Sequence, residues 1–313
     1  MRILVTGGAG FIGSNLAADA IRKGYSVRIL DDFSTGSRDN LAGLDVELIE
    51  GSILDSSCRT VALSGNVDSV VHLAALGSVP RSIADPLASH AANATGTLEM
   101  LIAATEAKVK HFVYSSSSSV YGMNPKLPKH EREWIRPMSP YAAAKLAAEQ
   151  YVLAAQQSYG LSTLALRFFN VYGPRQSARH TYAAVVPTFI DAMLSGRPVY
   201  INGDGATSRD FTFVGSVVRV LLEAVERGVT HAEPVNLAFG TRTTINELTG
   251  TLMELTNTAP AVVHREPRPG DVRHSQAANA SLRDLFPGVT PVPLTEGLRA
   301  TVDWYKRTEF GSA

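Results

Sequence analysis

Short apolar runs alternate with helical patterns through the first half of the chain. The runs are rich in Val, Ile and Leu, and most are followed by glycine, aspartate or serine. Continuous apolar runs of this kind are typical of strands buried on both faces of a parallel sheet. The predicted strands span 2–6, 26–30, 46–50, 69–75, 111–115 and 162–167. Because helical patterns connect them, we predict an α/β fold with a doubly wound parallel sheet.

After about residue 170 the pattern changes towards proline, glycine and polar loops. Helical patterns near 183–195, 216–227, 244–257 and 294–307 separate these loops. We therefore predict two domains, a sheet domain over 1–168 and a smaller C-terminal α/β domain over 169–313 that closes over the first. The segments near 212–240 are candidates for a return to the sheet domain.

Composition narrows the classes of partner. The chain has 29 basic and 29 acidic residues among 313, which argues against nucleic acid or a membrane surface as partner. Cys58 is the single cysteine, so an intrachain disulfide and a multi-cysteine metal site are excluded, and we predict no metal. No leader and no apolar run of spanning length is present, so we expect a cytoplasmic protein.

A glycine-rich turn follows the first predicted strand. Gly7, Gly10 and Gly13 form a Gly-x-x-Gly-x-x-Gly pattern between a strand and a helix, where backbone N–H groups can hold a pyrophosphate. Asp31 ends the next strand, and a carboxylate there suits a ribose 2′-hydroxyl and repels a 2′-phosphate. The pattern predicts a bound dinucleotide, and NAD in preference to NADP. Arg38 lies nearby in the sequence and argues in the opposite direction, for NADP, because an arginine there can bind a 2′-phosphate.

Tyr141 and Lys145 lie four residues apart at the start of a predicted helix. Ser139 suits the N-cap and Pro140 the first helical position. Residues i and i+4 share a helix face, and a fixed ammonium favours a phenolate. The pair therefore predicts a tyrosine that acts as a base. The alternative is a core aromatic beside a solvated lysine.

A run of serines, 115–119, ends the fifth predicted strand, at the edge where open α/β sheets bind ligands. A polar turn is the alternative. His72, within a predicted strand, is interpreted as a packed histidine. Polar loops at 202–210 and 265–271 carry arginines that suit a diphosphate.

In combination, these motifs and the segment 167–174 (Arg-Phe-Phe-Asn-Val-Tyr-Gly-Pro) resemble the extended short-chain dehydrogenase/reductase family. Within it, the chain is similar to the UDP-glucose 4-epimerase group. The segments 182–187, 201–205, 208–211 and 270–276 are similar to bacterial epimerases that act on UDP-N-acetylhexosamines. The resemblance covers nearly the whole chain. It implies a Rossmann sheet, NAD as cofactor, a UDP-sugar substrate, and a homodimer formed through the helices at 85–107 and 140–159.

The resemblance also implies residue roles. Tyr141 matches the catalytic base, Lys145 the residue that holds the nicotinamide ribose and lowers the tyrosine pKa, and Ser117 the hydroxyl that bonds the sugar 4-OH. The implied cofactor-binding residues are Gly7, Gly10, Phe11, Ile12, Gly13, Asp31, Asp32, Ser52, Ile53, Leu73, Ala74, Ala75, Asn93, Tyr141 and Lys145. The implied substrate-binding residues are Ser78, Ser117, Ser118, Tyr141, Asn170, Arg179, Val186, Tyr200, Asn202, Arg209, Arg268, Asp271 and Ser275.

The implied reaction inverts C4 of a UDP-hexose through a transient 4-keto sugar. Related dehydratases and decarboxylases place acidic residues before the Val-Tyr-Gly segment, where this chain has Ser118 and Ser119. Ser275 matches a gate residue and leaves room for an N-acetyl group, although plain hexoses also fit. Arg179 could pair with a C6 carboxylate, so UDP-glucuronic acid stays open as a substrate. A more distant alternative is another NAD-dependent nucleotide-sugar enzyme or a non-catalytic NAD-binding regulator.

Three departures from the family pattern stand outside the catalytic set. Ser52, Ser216 and Ala278 replace residues that are usually aspartate. The first of these puts the adenine contact in doubt.

Overall fold

The computed structural model describes residues 1–178, 183–267 and 272–310. Its largest element is a seven-stranded sheet in the order β11-β6-β5-β4-β1-β2-β3. All of its pairings are parallel. The strands of the chain are β1 Arg2–Thr6, β2 Ser26–Asp31, β3 Glu47–Glu50, β4 Ser69–His72, β5 His111–Ser117, β6 Ser162–Phe168, β7 Asn170–Tyr172, β8 Val199–Asn202, β9 Ser208–Arg209, β10 Phe211–Phe213, β11 Val235–Leu237, β12 Thr243–Thr244 and β13 Val262–Arg265. The predicted parallel α/β sheet is confirmed.

Helices cover both faces of this sheet. The α-helices are α1 Phe11–Arg22, α2 Ser56–Leu63, α3 Val79–Ala84, α4 Pro86–His90, α5 Gly96–Glu106, α6 Pro140–Tyr159, α7 Val185–Leu194, α8 Val214–Arg227, α9 Ile245–Thr256, α10 Ala280–Leu285 and α11 Leu294–Thr308. On one face, α1 and α8 pack in one apolar core, and on the other, α2, α5 and α6 pack in a second. Among the described residues, no helix combines the length and apolar character that crossing a membrane requires.

The helix predicted at 85–107 is interrupted. It begins at Pro86 and ends at Glu106, but its middle turn, Ala91–Thr95, is a π-helix. A π-turn holds one extra residue, and such turns are frequent at functional sites. Here the turn carries Asn93, whose side chain bonds the backbone N–H and carbonyl of Leu76 at 2.9 and 3.1 Å.

The far edge of the sheet is a short strand that the sequence pattern does not identify. β11 pairs with β6, and the preceding helix α8 packs on α1 through buried residues such as Val217 and Leu221. Three residues are too few for a periodicity signal, so only the context of the sheet identifies this strand.

The remaining segments form a smaller unit beside the carboxyl ends of the strands. A third core joins α7, α9 and α11 with β8, and it contains Phe189, Leu252 and Tyr305. Short ladders complete this unit: β13 with β8, β12 with β9, and β10 with β7. The unit forms one side of the cleft described next.

Candidate active site

A cleft of about 1160 Å³ lies at the carboxyl ends of the parallel strands. The turn after β1, the end of β2, the serines that end β5 and the first turn of α6 form its walls, together with residues of α11. This is the edge at which open α/β sheets bind ligands. The predicted residues that line it are Gly7, Gly10, Phe11, Ile12, Gly13, Asp31, Asp32, Ser52, Ile53, Leu73, Ala74, Ala75, Ser78, Ser117, Tyr141 and Lys145.

The glycine turn is packed so tightly that side chains would not fit. Gly7 has a φ of +69°, and a Cβ there would lie 2.7 Å from the backbone nitrogen of Ala74. A Cβ on Gly13 would lie 2.4 Å from the carbonyl oxygen of Gly7. The chain thus turns directly into α1, whose first N–H groups face the cleft as a site for phosphate.

Asp31 is held rigidly at the adjacent wall. One carboxylate oxygen accepts the N–H of Ala9 at 2.8 Å, and the other accepts the N–H of Phe33 at 2.9 Å. Burial raises the pKa of Asp31, and these two backbone hydrogen bonds act against that rise. Each oxygen keeps a lone pair for a further donor, so the carboxylate can accept from a ribose hydroxyl. The tight turn and this carboxylate together fit the diphosphate and adenosine ribose of NAD.

Tyr141, Ser117 and Lys145 meet at the inner end of the cleft. α6 begins as predicted, because the Ser139 hydroxyl accepts the N–H of Ala142 at 3.2 Å and Pro140 occupies the first turn. The side chain of Ser117 lies close enough to the hydroxyl of Tyr141 to lower the pKa of the phenol. Strand β5 and helix α6 therefore bring the predicted base and its partner hydroxyl together.

The pKa values in this group differ from the sequence-based expectation. The sequence predicts that Lys145 lowers the pKa of Tyr141, but burial raises this pKa and outweighs the opposite effect of the Ser117 side chain. The ammonium of Lys145 instead donates to the carbonyl of Ser115 at 2.7 Å. Burial lowers the pKa of Lys145 itself to about 7. The phenol is thus the favoured form of Tyr141 in this structure.

A buried ion pair anchors the serine run at the end of β5. Arg167 on β6 binds Glu149 on α6 through two hydrogen bonds of 2.7 and 2.9 Å, and both side chains are almost fully buried. The hydroxyl of Ser116 donates to Glu149 at 2.6 Å. The guanidinium of Arg167 also lies over the ring of Tyr121, 4.8 Å from its centroid. The residue next to Ser117 is therefore anchored to a fixed carboxylate.

His72 is a structural residue, as the strand pattern suggests. Thr97 uses its hydroxyl hydrogen on the carbonyl of Asn93, so His72 Nε2 is the donor in its 3.0 Å contact with the Thr97 oxygen. His72 Nδ1 then accepts from the hydroxyl of Thr6 at 2.8 Å. Burial, and secondarily the charge of Lys145, lower the pKa of His72 to about 3. A neutral His72 thus joins β1 and β4 to the first turn of α5, directly after the π-turn.

Other predicted residues lie away from the wall of this cleft. Asn93 is fully buried and reaches the site only by holding Leu76, because both polar ends of its amide are used there. The predicted substrate residues outside the wall are Ser118, Asn170, Val186, Tyr200, Asn202, Arg209 and Ser275. Arg179, Arg268 and Asp271 lie outside the described residues.

Several of those substrate residues belong to the smaller unit. Tyr200 and Asn202 are on β8, and Arg209 is on β9. Ser275 is fixed beside β9, since its N–H donates to the carbonyl of Ser208 at 3.1 Å. The chain just after it is held too, because Asp210 accepts the N–H of Ala277 at 3.1 Å. The position of Ser275, the predicted gate residue, is therefore set by backbone contacts.

The cleft also contains residues that sequence reasoning missed. These are Arg81, Arg175, Gln176, Ser177 and Trp304, among others. Arg175 follows the Pro174 of a recognised segment, and it donates to the carbonyl of Ser14 at 2.6 Å, which docks its loop on α1. A basic residue directly after that segment is the one sequence signal that could have identified Arg175. Trp304 has no such signal, because only tertiary packing brings α11 to the cleft.

The chain matches the NAD dependent epimerase/dehydratase family over residues 3–238, and it belongs to that family. It is 35% identical to the UDP-glucose 4-epimerase of Mycolicibacterium smegmatis, over 98% of this chain and 99% of that protein. Dehydratases and a decarboxylase of nucleotide sugars also match, at 30–35% identity. The predicted family and its NAD cofactor are thereby confirmed.

Solved structures place the chain in the same family. The chain superposes on the UDP-glucose 4-epimerase of Thermotoga maritima, determined with UDP-glucose, with a TM-score of 0.94 and 39% identity, covering 99% of this chain and 100% of that one. It is also similar to a UDP-N-acetylglucosamine 4-epimerase from Methanobrevibacter ruminantium, determined with UDP-N-acetylmuramic acid. In that case the TM-score is 0.91, the identity is 38%, and each chain is covered to 97%.

Proposed function

We propose that this protein is an NAD-dependent 4-epimerase of UDP-hexoses that inverts C4 through a transient 4-keto sugar. The observation that carries the proposal is the joint placement of Tyr141, Ser117 and Lys145 in the same cleft as the glycine turn and Asp31. The phenol, the hydroxyl and the amine of these residues would thus lie beside the proposed dinucleotide site. The 4-epimerases among its relatives support the same reaction class.

Tyr141 is the residue that we assign to proton transfer. As the phenolate, its oxygen removes the proton of the sugar 4-OH and later returns it to O4, while the neighbouring Ser117 holds the sugar oxygen. Lys145 would hold the ribose of the cofactor. When bound, NAD would supply hydride exchange at C4 and a positive charge that favours the phenolate form of Tyr141.

The two structural units divide the ligand between them. We propose that residues 1–168, together with α8 and β11 in the same sheet, hold NAD, and that most of 169–313 holds the UDP-sugar. Asn170 and Arg209 would contact the diphosphate. We assign one of two substrate pairs, UDP-N-acetylglucosamine with UDP-N-acetylgalactosamine or UDP-glucose with UDP-galactose. Ser275 is a small residue at the gate position, so it leaves room for either pair.

Proton NMR on the purified protein tests this function. UDP-glucose, UDP-N-acetylglucosamine and UDP-glucuronic acid are supplied separately, first without added NAD and then with it. We expect a galacto-configured anomeric signal to appear for the first two sugars. The absence of inversion with every sugar, with and without NAD, would overturn the proposal. Inversion of UDP-glucuronic acid alone would move the assignment to the uronic acid.

The matched variant for substrate choice is Ser275→Tyr. A tyrosine at that position reduces the space beside the sugar, so conversion of the N-acetylated substrate is expected to fall while conversion of UDP-glucose remains. An equal fall for both sugars would show that Ser275 does not act as the gate.

A further inference from the structure

The loop after β2 carries a cation, Arg38, between Ser37 and Asp39, two residues that line the cleft. Asp31, Asp32 and the residues 34–37 line the cleft here. Between residues 32 and 46, Arg38 is the only basic residue. An arginine in this region is what NADP-dependent proteins use to accept a 2′-phosphate, so Arg38 acts against the selectivity that Asp31 provides.

The structure shows how Arg38 is restrained. Its guanidinium donates to the carboxylate of Glu50. It also lies over the ring of Phe33, with Cζ 4.4 Å from the centroid. The N–H of Phe33 in turn binds Asp31 at 2.9 Å. Arg38 is thus held against the residue that the Asp31 carboxylate fixes.

Glu50 is placed to act on the same region as Asp31. It is the last residue of β3, and in the parallel pairing of β2 with β3 it is the register partner of Asp31. The N–H of the next residue, Gly51, donates to the carbonyl of Asp31 at 3.0 Å. Asp31 and Glu50 thus end neighbouring strands, and Glu50 is the carboxylate that pairs with Arg38.

From this geometry we propose that Glu50 is a specificity-determining residue for the cofactor. By pairing with Arg38, Glu50 cancels the charge that would attract a 2′-phosphate and adds a second carboxylate that repels it. Without Glu50, the positive charge of Arg38 could offset the repulsion that Asp31 exerts on a 2′-phosphate. The inference rests on the proposed NAD site, and it is independent of the sugar and of the reaction.

The test compares two carboxylates of the same strand. Glu50→Gln removes the partner of Arg38. Its control is Glu47→Gln, because Glu47 is on the same strand β3 and pairs with a different arginine, Arg28, at 2.9 Å. The two glutamate side chains are similarly exposed, 53% for Glu47 and 59% for Glu50. Full-length proteins are titrated with NADH and with NADPH, and binding is followed by nicotinamide fluorescence. We expect Glu50→Gln to lower the Kd of NADPH about fivefold, the size typical of an exposed ion pair, with little change for NADH.

A double variant then tests the role of Arg38. In Glu50→Gln with Arg38→Gln, the gain in NADPH affinity should disappear, because the freed cation is gone. An equal gain in Glu47→Gln, no gain in Glu50→Gln, or a gain that survives loss of Arg38 would each overturn the inference. Failure of the unmodified protein to bind NADH would instead refute the proposed NAD site, and the inference would fall with it.

Discussion

The buried, neutral His72 makes the stability of this protein depend on pH in a way that can be calculated. In the folded protein burial lowers its pKa from 6.5 to about 3. The unfolded chain therefore binds a proton at His72 below about pH 6.5, whereas the folded chain does not until about pH 3. The contribution is fully present above pH 6.5 and is lost as the pH falls towards 3. From pH 7 to pH 5 the loss is about 2 kcal/mol.

The assay is urea unfolding at pH 7, 6 and 5, on the unmodified protein and on His72→Gln. A glutamine retains an amide donor and acceptor but does not titrate. We expect it to be less stable than the unmodified protein at pH 7, because the hydrogen bonds to Thr6 and Thr97 cannot both keep their geometry. Its free energy of unfolding should nevertheless fall less steeply, so that the gap between the two proteins narrows by about 2 kcal/mol at pH 5.

The exposed His130, between β5 and α6, provides the control. His130→Gln should follow the pH dependence of the unmodified protein, because it leaves the buried His72 in place. Parallel curves for the unmodified protein and His72→Gln would refute the reasoning, since they would show that His72 does not resist protonation in the folded state.

Further predictions follow from the site and its supports. Tyr141→Phe should abolish turnover in the NMR assay yet still bind NADH, because its hydroxyl serves the chemistry and the phosphates bind at the glycine turn. Gly13→Ala should lose NADH binding in the fluorescence titration, because its Cβ would meet the carbonyl of Gly7. Glu149→Gln should lower the free energy of unfolding in urea by about 3 kcal/mol or more, since it leaves the charge of Arg167 buried and unpaired. We also propose a homodimer through α4–α6, where Leu87 is 81% exposed, so Leu87→Arg should shift the mass measured by light scattering to that of a monomer.

Local chemistry explains why much of this site could be predicted from the sequence. The cap of α6 needs only a serine followed by proline, and the glycine turn needs only glycines between a strand and a helix. Both signals lie within a few residues, so Tyr141 and Gly13 could be placed before the structure was considered. The parallel sheet also follows from the alternation of strand and helix patterns.

The features that could not be predicted depend on contacts between distant segments. Glu149 and Arg167 are 18 positions apart and read as ordinary helix and strand residues until the fold pairs them. No pattern of residue types predicts the π-turn. Its effect is a tertiary contact, because it brings the side chain of Asn93 to the backbone of Leu76. The sign of the Tyr141 pKa shift also depends on tertiary structure, since burial exceeds any local effect of Lys145.

Buried polar contacts link the two parts of the site. The hydroxyl of Tyr121, below the guanidinium of Arg167, donates to the side-chain oxygen of Asn236 on β11 at 2.6 Å. The amide of Asn236 then donates to the carbonyl of Ala278 at 3.1 Å, three residues after Ser275. The serine run of β5 and the segment after Ser275 are therefore anchored to one network, through Glu149 at one end and Asn236 at the other. Because each donor in this path has a fixed acceptor, the fold sets the distance between Ser117, the predicted catalytic hydroxyl, and Ser275, the predicted gate. We therefore expect substrate specificity to respond to the size of residue 275 and not to a shift of its backbone.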